Sequence, residues 1–278
     1  MIDSLRFHWP EYLMEAAEVA IYLFLTCVFA FLLLGSASPG WHLVASAVAR
    51  RALMGVAIGA TIALIVTSPW GKQSGGHFNP ALTLAFYRLG KMSVPDAAFY
   101  SIAQFSGATM GVCIARYLLP GGRAVRYALT TPGARGSTVA FISEMAISMV
   151  LMSTILAASN NKTFSRYTPH LVGLLYATFI ILEAPLSGMS MNPARSFAPA
   201  LHVSAWHALW LYFAAPTLGM LTAAEVFLRA RGGVQPFCAK LHHANNKRCI
   251  FYHGTTPHSA RSIGEGELNA RHTEALSR

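Results

Sequence analysis

The sequence predicts an all-α membrane protein in which six transmembrane helices and two half-helices form an inverted three-span repeat. Three observations carry that expectation. Only 12% of the 278 residues are charged while 54% are hydrophobic, against about 25% charge in an ordinary soluble domain. Six windows have the length needed to cross a hydrocarbon layer about 30 Å thick, roughly 20 mostly apolar residues, and between them one short motif occurs twice.

The windows are 12–34, 47–67, 94–119, 138–158, 169–183 and 206–228. The first follows Asp3 and contains Glu15 and Glu18 near its start, with no basic leader ahead of it. It is also too long for a signal-peptide core, so it reads as a retained span. The fifth is short and runs on into further apolar residues. Two Gly/Pro-interrupted segments, SGGHFNPALTLAFYR at 74–88 and SGMSMNPARSFAPALH at 187–202, are too short to cross alone. Ser74 and Ser187, Gly75 and Gly188, Asn79 and Asn192, Pro80 and Pro193, and Ala81 and Ala194 all repeat at a constant offset of 113 residues. Five identities at one offset make an internal repeat. Each repeat holds three spans, an odd number, so the second enters the membrane in the opposite direction. Inverted repeats of this kind place a site near the bilayer midplane, between discontinuous helices.

The organisation expected is a membrane domain over 1–229, with repeats at about 12–119 and 138–228, and a basic polar tail over 230–278. The formal charge of +10 on so apolar a chain fits anionic lipid better than nucleic acid. Cys27, Cys113, Cys238 and Cys249 are too few and too scattered for a disulfide scaffold. In the tail, Cys238, His242, His243, Cys249 and His253 are residue types that zinc accepts, but not at the spacing of a standard finger. The reading favours a bare solvated extension, with no metal and no cofactor.

The repeated tripeptides, Asn79-Pro80-Ala81 and Asn192-Pro193-Ala194, have the chemistry of helix starts. Asparagine is a favoured N-cap, because its side-chain oxygen accepts from an orphan N–H of the first turn. Proline suits the first helical position, where no donor is needed. The Ser-Gly stretches upstream supply non-helical backbone, which membrane depth tolerates only where it is buried in protein or lines a water-filled cavity. With each asparagine oxygen used by its own helix, the amide NH₂ groups stay free to donate to the oxygen of a passing water or alcohol. Both half-helix dipoles would point their positive ends at the same place, disfavouring cations and protons.

These motifs, in the contexts SGGHFNPALT and SGMSMNPARSFAPA, resemble those of the aquaporin, or major intrinsic protein, family over about 12–228. The resemblance implies an aquaporin-like bundle with half-helices meeting at the pore centre, one pore per subunit, and a homotetramer. It also implies a multi-pass protein of the cell membrane with both termini cytoplasmic. Charge alone supports that orientation weakly, because the positive-inside excess rests mostly on the tail.

Carried over residue by residue, Arg195 matches the arginine of the family's outer constriction. An arginine in a membrane segment is costly and normally faces a watery interior. Its partners fall at Ile180, at Met189, and at Ile58 or Gly59, so no aromatic or histidine is expected to narrow the constriction. That departure argues for a wide filter, whereas Ser196, Ala200 and the Tyr212-Phe213 pair look more like the water-channel branch. Glu18 and Glu144, with Glu15 a rival for Glu18, match the carboxylates that hold the motif loops. His77 matches a vestibule histidine, with its backbone carbonyl as the expected contributor.

The function expected is a passive channel for water and small uncharged solutes such as glycerol, with ions and protons excluded. A secondary transporter would share the broken helices, but it needs charged coupling sites beyond Arg195 and the glutamates. A closed-pore structural protein is the third class. No nucleophile-base pair or phosphate loop points to an enzyme.

Overall fold

The computed structural model describes residues 1–119 and 122–253, and within them the regular elements are helices joined by non-helical loops. The first repeat contains α1 (Ile2–Leu34), a short α2 (Pro39–Leu43), α3 (Ala47–Thr67), α4 (Pro69–Ser74), α5 (Pro80–Arg88) and α6 (Val94–Leu118). The second contains α7 (Gly136–Ser159), α8 (Thr168–Leu182), α9 (Ala184–Ser187), α10 (Pro193–Val203) and α11 (Leu209–Ala230). Five of these, α1, α3, α6, α7 and α11, are long and apolar enough to cross a membrane by length and composition. The fifth expected span is α8, and its 15 residues reach only about 22 Å at 1.5 Å per residue. The chain bends at Glu183 and continues as α9, which explains why this window read as short.

The two repeats interlock. Within the repeats α1 runs along α6 and α7 along α11, while α3 lies against α8 and joins the halves. Each half-helix also leaves its own repeat, α5 packing on α11 and α10 on α6. Small residues permit these approaches, as expected where helices have no hydrophobic drive to associate and gain mainly from close packing. A Cβ added at Gly107 of α6 would lie 2.1 Å from the Ala16 carbonyl oxygen of α1, and one at Gly111 would lie 2.3 Å from that of Ala20. At the α3–α8 crossing, a Cβ at Gly59 would meet the Gly173 carbonyl at 2.3 Å, and one at Gly55 that of Ala177 at 2.6 Å.

Two expectations change. The first helix begins at Ile2 instead of residue 12, and Glu11, Glu15 and Glu18 along it are fully buried in the bundle. The tail is not a free extension over its first part. Gln235, Cys238, Ala239, Lys240, Leu241 and Phe251 are buried against the membrane domain. The tail's Arg261, Arg271 and Arg278 lie outside the described residues.

Candidate functional site

The half-helices α5 and α10 start where their asparagines cap them. Asn79 Oδ1 accepts from the Ala81 N–H at 2.9 Å, and Asn192 Oδ1 accepts from the N–H groups of Ala194 and Arg195 at 2.9 and 3.2 Å. The amide groups cross between repeats: Asn79 Nδ2 donates to the Met191 carbonyl at 2.6 Å, and Asn192 Nδ2 to the Phe78 carbonyl at 2.8 Å. The amides are therefore not wholly free, since each has committed one of its two hydrogens to the opposite loop. A flipped amide would set oxygen against carbonyl oxygen, so these contacts also fix which atom is which. The residue before each asparagine holds left-handed backbone, φ 57° at Phe78 and 55° at Met191, and Met189 stands at 52°. Such positions cost roughly 1–3 kcal/mol each for residues with a Cβ, and here they turn the two carbonyls toward the opposing asparagines.

Buried carboxylates hold the loops in that shape. Glu144 of α7 accepts from the Ser187 hydroxyl at 2.6 Å and from the N–H groups of Ser190 and Met191 at 2.6 and 2.7 Å. In the first repeat the task is divided. Glu18 accepts from the Ser74 hydroxyl at 2.9 Å, while Glu15 takes the N–H groups of Phe78 and His77 and the Gln104 amide. Glu15, the rival for Glu18 in the sequence reading, thus makes the backbone contacts that correspond to those of Glu144. His77 lies at the mouth of this loop. Its side chain is engaged, with Nδ1 3.1 Å from the Thr83 hydroxyl and the ring stacked on Phe86.

Arg195 is buried, and one guanidinium nitrogen donates to the Ala128 carbonyl at 2.7 Å. That carbonyl is presented by three consecutive left-handed residues, Arg126, Tyr127 and Ala128, at φ 49°, 51° and 57°. Ser196, beside it, is hydrogen-bonded to Thr130 and Ser190 at 2.7 and 2.6 Å and so ties α10 to both loops. Met189 is buried and Ile180 half-buried, and Ile58 is buried as well. Gly59 turns its bare Cα to the α8 backbone and serves the contact between those helices. Two aromatics that the sequence reading did not place here also surround the arginine. Tyr22 of α1 and Tyr176 of α8 are both buried and lie close enough to feel the charge of Arg195. The two rings meet edge to face, with centroids 6.3 Å apart.

The pattern of the Major intrinsic protein family matches residues 2–227, which takes in both motifs, Arg195 and the helices from α1 into α11. The chain belongs to the major intrinsic protein family. Similar members include Aquaporin TIP2-1 of Arabidopsis thaliana, 35% identical over 199 residues, covering 70% of this chain and 79% of the relative. Aquaporin NIP1-2 of the same plant is 33% identical, covering 64% of this chain. The chain spans just under two thirds of that relative's length, 63%. Aquaporin Z of Rhodopseudomonas palustris is 31% identical over 169 residues, covering 56% of this chain and 70% of the relative. Among solved structures, the aquaglyceroporin from Plasmodium falciparum superimposes with a TM-score of 0.63 at 18% identity, over 78% of this chain and 94% of that one. At that identity the likeness speaks for the fold.

On this family bundle, the first part of the tail lies across the end that holds the N-terminus of α1 and the C-terminus of α11. The Leu241 N–H donates to the Gly75 carbonyl at 3.1 Å. The Ala239 carbonyl is 3.0 Å from His77 Nε2, and Phe251 stacks on the other face of that ring at 5.3 Å. Further along, the Phe237 N–H reaches Asn160 at 2.7 Å, the Tyr252 N–H reaches the Lys91 carbonyl at 3.1 Å, and Arg248 donates to the Phe7 carbonyl at 2.5 Å. Of the tail's cysteines and histidines, Cys238, Cys249 and His253 come together, with their ligand atoms all within 4.8 Å of one another. His243 turns away to the Ser159 carbonyl at 2.6 Å.

Proposed function

We propose that the protein is a passive channel that conducts water and small uncharged solutes through the junction of α5 and α10, and that it excludes ions and protons. The observation that carries this reading is the reciprocal asparagine lock. It leaves each amide a second hydrogen beside two converging half-helix N-termini, an arrangement of donors and positive dipole ends that disfavours cations. Arg195, with its remaining guanidinium donors, would bind a permeant's oxygen while Ile180 and Met189 meet its carbon skeleton. Tyr22 and Tyr176, a buried edge-to-face pair, would line that passage and offer it their hydroxyls. A homotetramer and cytoplasmic termini in a cell membrane complete the proposal. They are supported by family membership and by the apolar outer faces of α3 and α8, where Leu53, Val56, Leu64, Leu174 and Leu182 are exposed.

The test is stopped-flow light scattering of proteoliposomes made with the full chain, without any ion gradient. Water flux above that of empty vesicles, with measurable glycerol uptake, is the expected result. Ile180→His should shift the balance toward water, and Tyr176→Ala should raise glycerol uptake more than water flux. Saturable uptake that requires an ion gradient would favour a transporter instead. Water flux with no glycerol uptake by the wild type or by Tyr176→Ala would refute the wide filter while leaving the water pathway in place.

A further inference from the structure

The side chains of Cys238, Cys249 and His253 belong to no part of the pore, yet they converge from two arms of the folded tail. We propose that they form a zinc site, and that the bound ion fastens residues 234–253 as a cap over the mouth at His77.

The geometry suits the ion. The two sulfurs are 3.7 Å apart, far beyond a disulfide bond of about 2.05 Å. Two thiolates bound to one tetrahedral zinc at about 2.3 Å each stand about 3.8 Å apart. The His253 nitrogen falls within 4.8 Å of both sulfurs, which gives three protein ligands and leaves the fourth corner to a water. The surroundings are shaped for thiolate sulfur. The Lys240 N–H points at the Cys238 sulfur at 3.5 Å, and the Lys240 ammonium binds the carbonyls of Lys247 and Arg248 at 3.2 and 2.6 Å. That lysine therefore laces together the two arms that carry the cysteines. Zinc and imidazole-thiolate sets of this kind contribute folding energy to small segments that have little core of their own, and 234–253 is such a segment.

What the ion would hold in place is specific. Ala239, one residue from the first ligand, contacts His77. Phe251, two residues from Cys249 and two from His253, covers the other face of the same imidazole and also meets Tyr100 edge-on at 5.8 Å. Fixing the ligands thus fixes both contacts on the loop that leads to Asn79. The closing effect on flux rests on the channel reading above, whereas the site itself does not.

Cobalt(II) serves as the probe, added to the full-length protein in detergent under reducing conditions. One equivalent per chain should produce thiolate-to-cobalt charge-transfer bands that zinc abolishes by displacement. The bands should be lost in Cys238→Ser/Cys249→Ser, weakened in His253→Ala, and retained in His242→Ala/His243→Ala. Hydrogen exchange over 234–253 should slow on adding zinc to the wild type but not to the double serine variant. In proteoliposomes, zinc should lower wild-type water flux reversibly and leave the serine variant unaffected. Absence of charge-transfer bands, or bands that survive the serine substitutions, would overturn the site. Zinc binding without slower exchange over 234–253 would overturn the cap. If no variant conducts water while cobalt binds as expected, the channel reading fails and the metal site stands.

Discussion

Glu144→Ala is expected to destabilise the fold more than any other single carboxylate substitution, by roughly 2–6 kcal/mol, since it strands two buried backbone N–H groups at about 1–3 kcal/mol each. Those donors belong to Ser190 and Met191, and the Ser187 hydroxyl loses its acceptor as well. Glu144, Ser190 and Met191 are all fully buried, and the carboxylate is the acceptor for both N–H groups. Glu15→Ala should follow closely, as it frees the Phe78 and His77 amides and the Gln104 side chain. Glu18→Ala should be milder, since its partner is the Ser74 hydroxyl. Detergent melting followed by size-exclusion chromatography gives the order. Equal loss for Glu18→Ala and Glu15→Ala would mean that the backbone contacts assigned to Glu15 do not support the loop.

A comparable loss is expected for Gly59→Leu. The α3 and α8 backbones touch reciprocally at this point, with a Cβ at Gly59 2.3 Å from the Gly173 oxygen and one at Gly173 2.4 Å from the Gly59 oxygen. Neither atom can move without parting the helices, because both are main chain. Overpacking a core costs about 1–3 kcal/mol when side chains can shift, and here they cannot, so the upper end or beyond is expected. The readout is the yield of monodisperse protein and its melting temperature. Ile58→Val, a one-methylene trim next to it, should cost only about 0.5–1.5 kcal/mol. A well-folded Gly59→Leu variant whose sole defect is altered solute flux would instead return this position to the pore wall.

These two cases mark the limit of what the sequence could tell. The repeat at Asn79 and Asn192, their caps and the half-helices were legible because they depend on residues within a few positions of each other. The choice between Glu15 and Glu18 was not. The constant offset of 113 residues holds inside the motif but not in the helices that support it, so Glu144 has no image at that offset among the carboxylates of α1. Gly59 fell one count from Ile58, and only the crossing of α3 with α8 shows which of them is spent on helix contact. Tyr22 and Tyr176 lie on separate spans, and their approach to Arg195 is a product of tertiary packing. The tail read as solvated because its polarity was judged alone. Its apolar members, Ala239, Leu241 and Phe251, are buried only against the 75–77 loop and the helix ends beside it.

The central claim is that water crosses where Asn79 and Asn192 meet. Osmotic shrinkage of chelator-treated proteoliposomes, wild type against Asn79→Leu/Asn192→Leu, tests it most directly, with the variant's folding verified by size-exclusion chromatography. Leucine removes two caps, each worth about 1 kcal/mol, together with both cross-loop hydrogen bonds and the donors that face the permeant. The account predicts wild-type water flux well above that of empty vesicles, with no accompanying proton leak, and a marked fall in the folded double variant. Equal flux through wild type and variant, or wild-type flux no higher than that of empty vesicles, would contradict it.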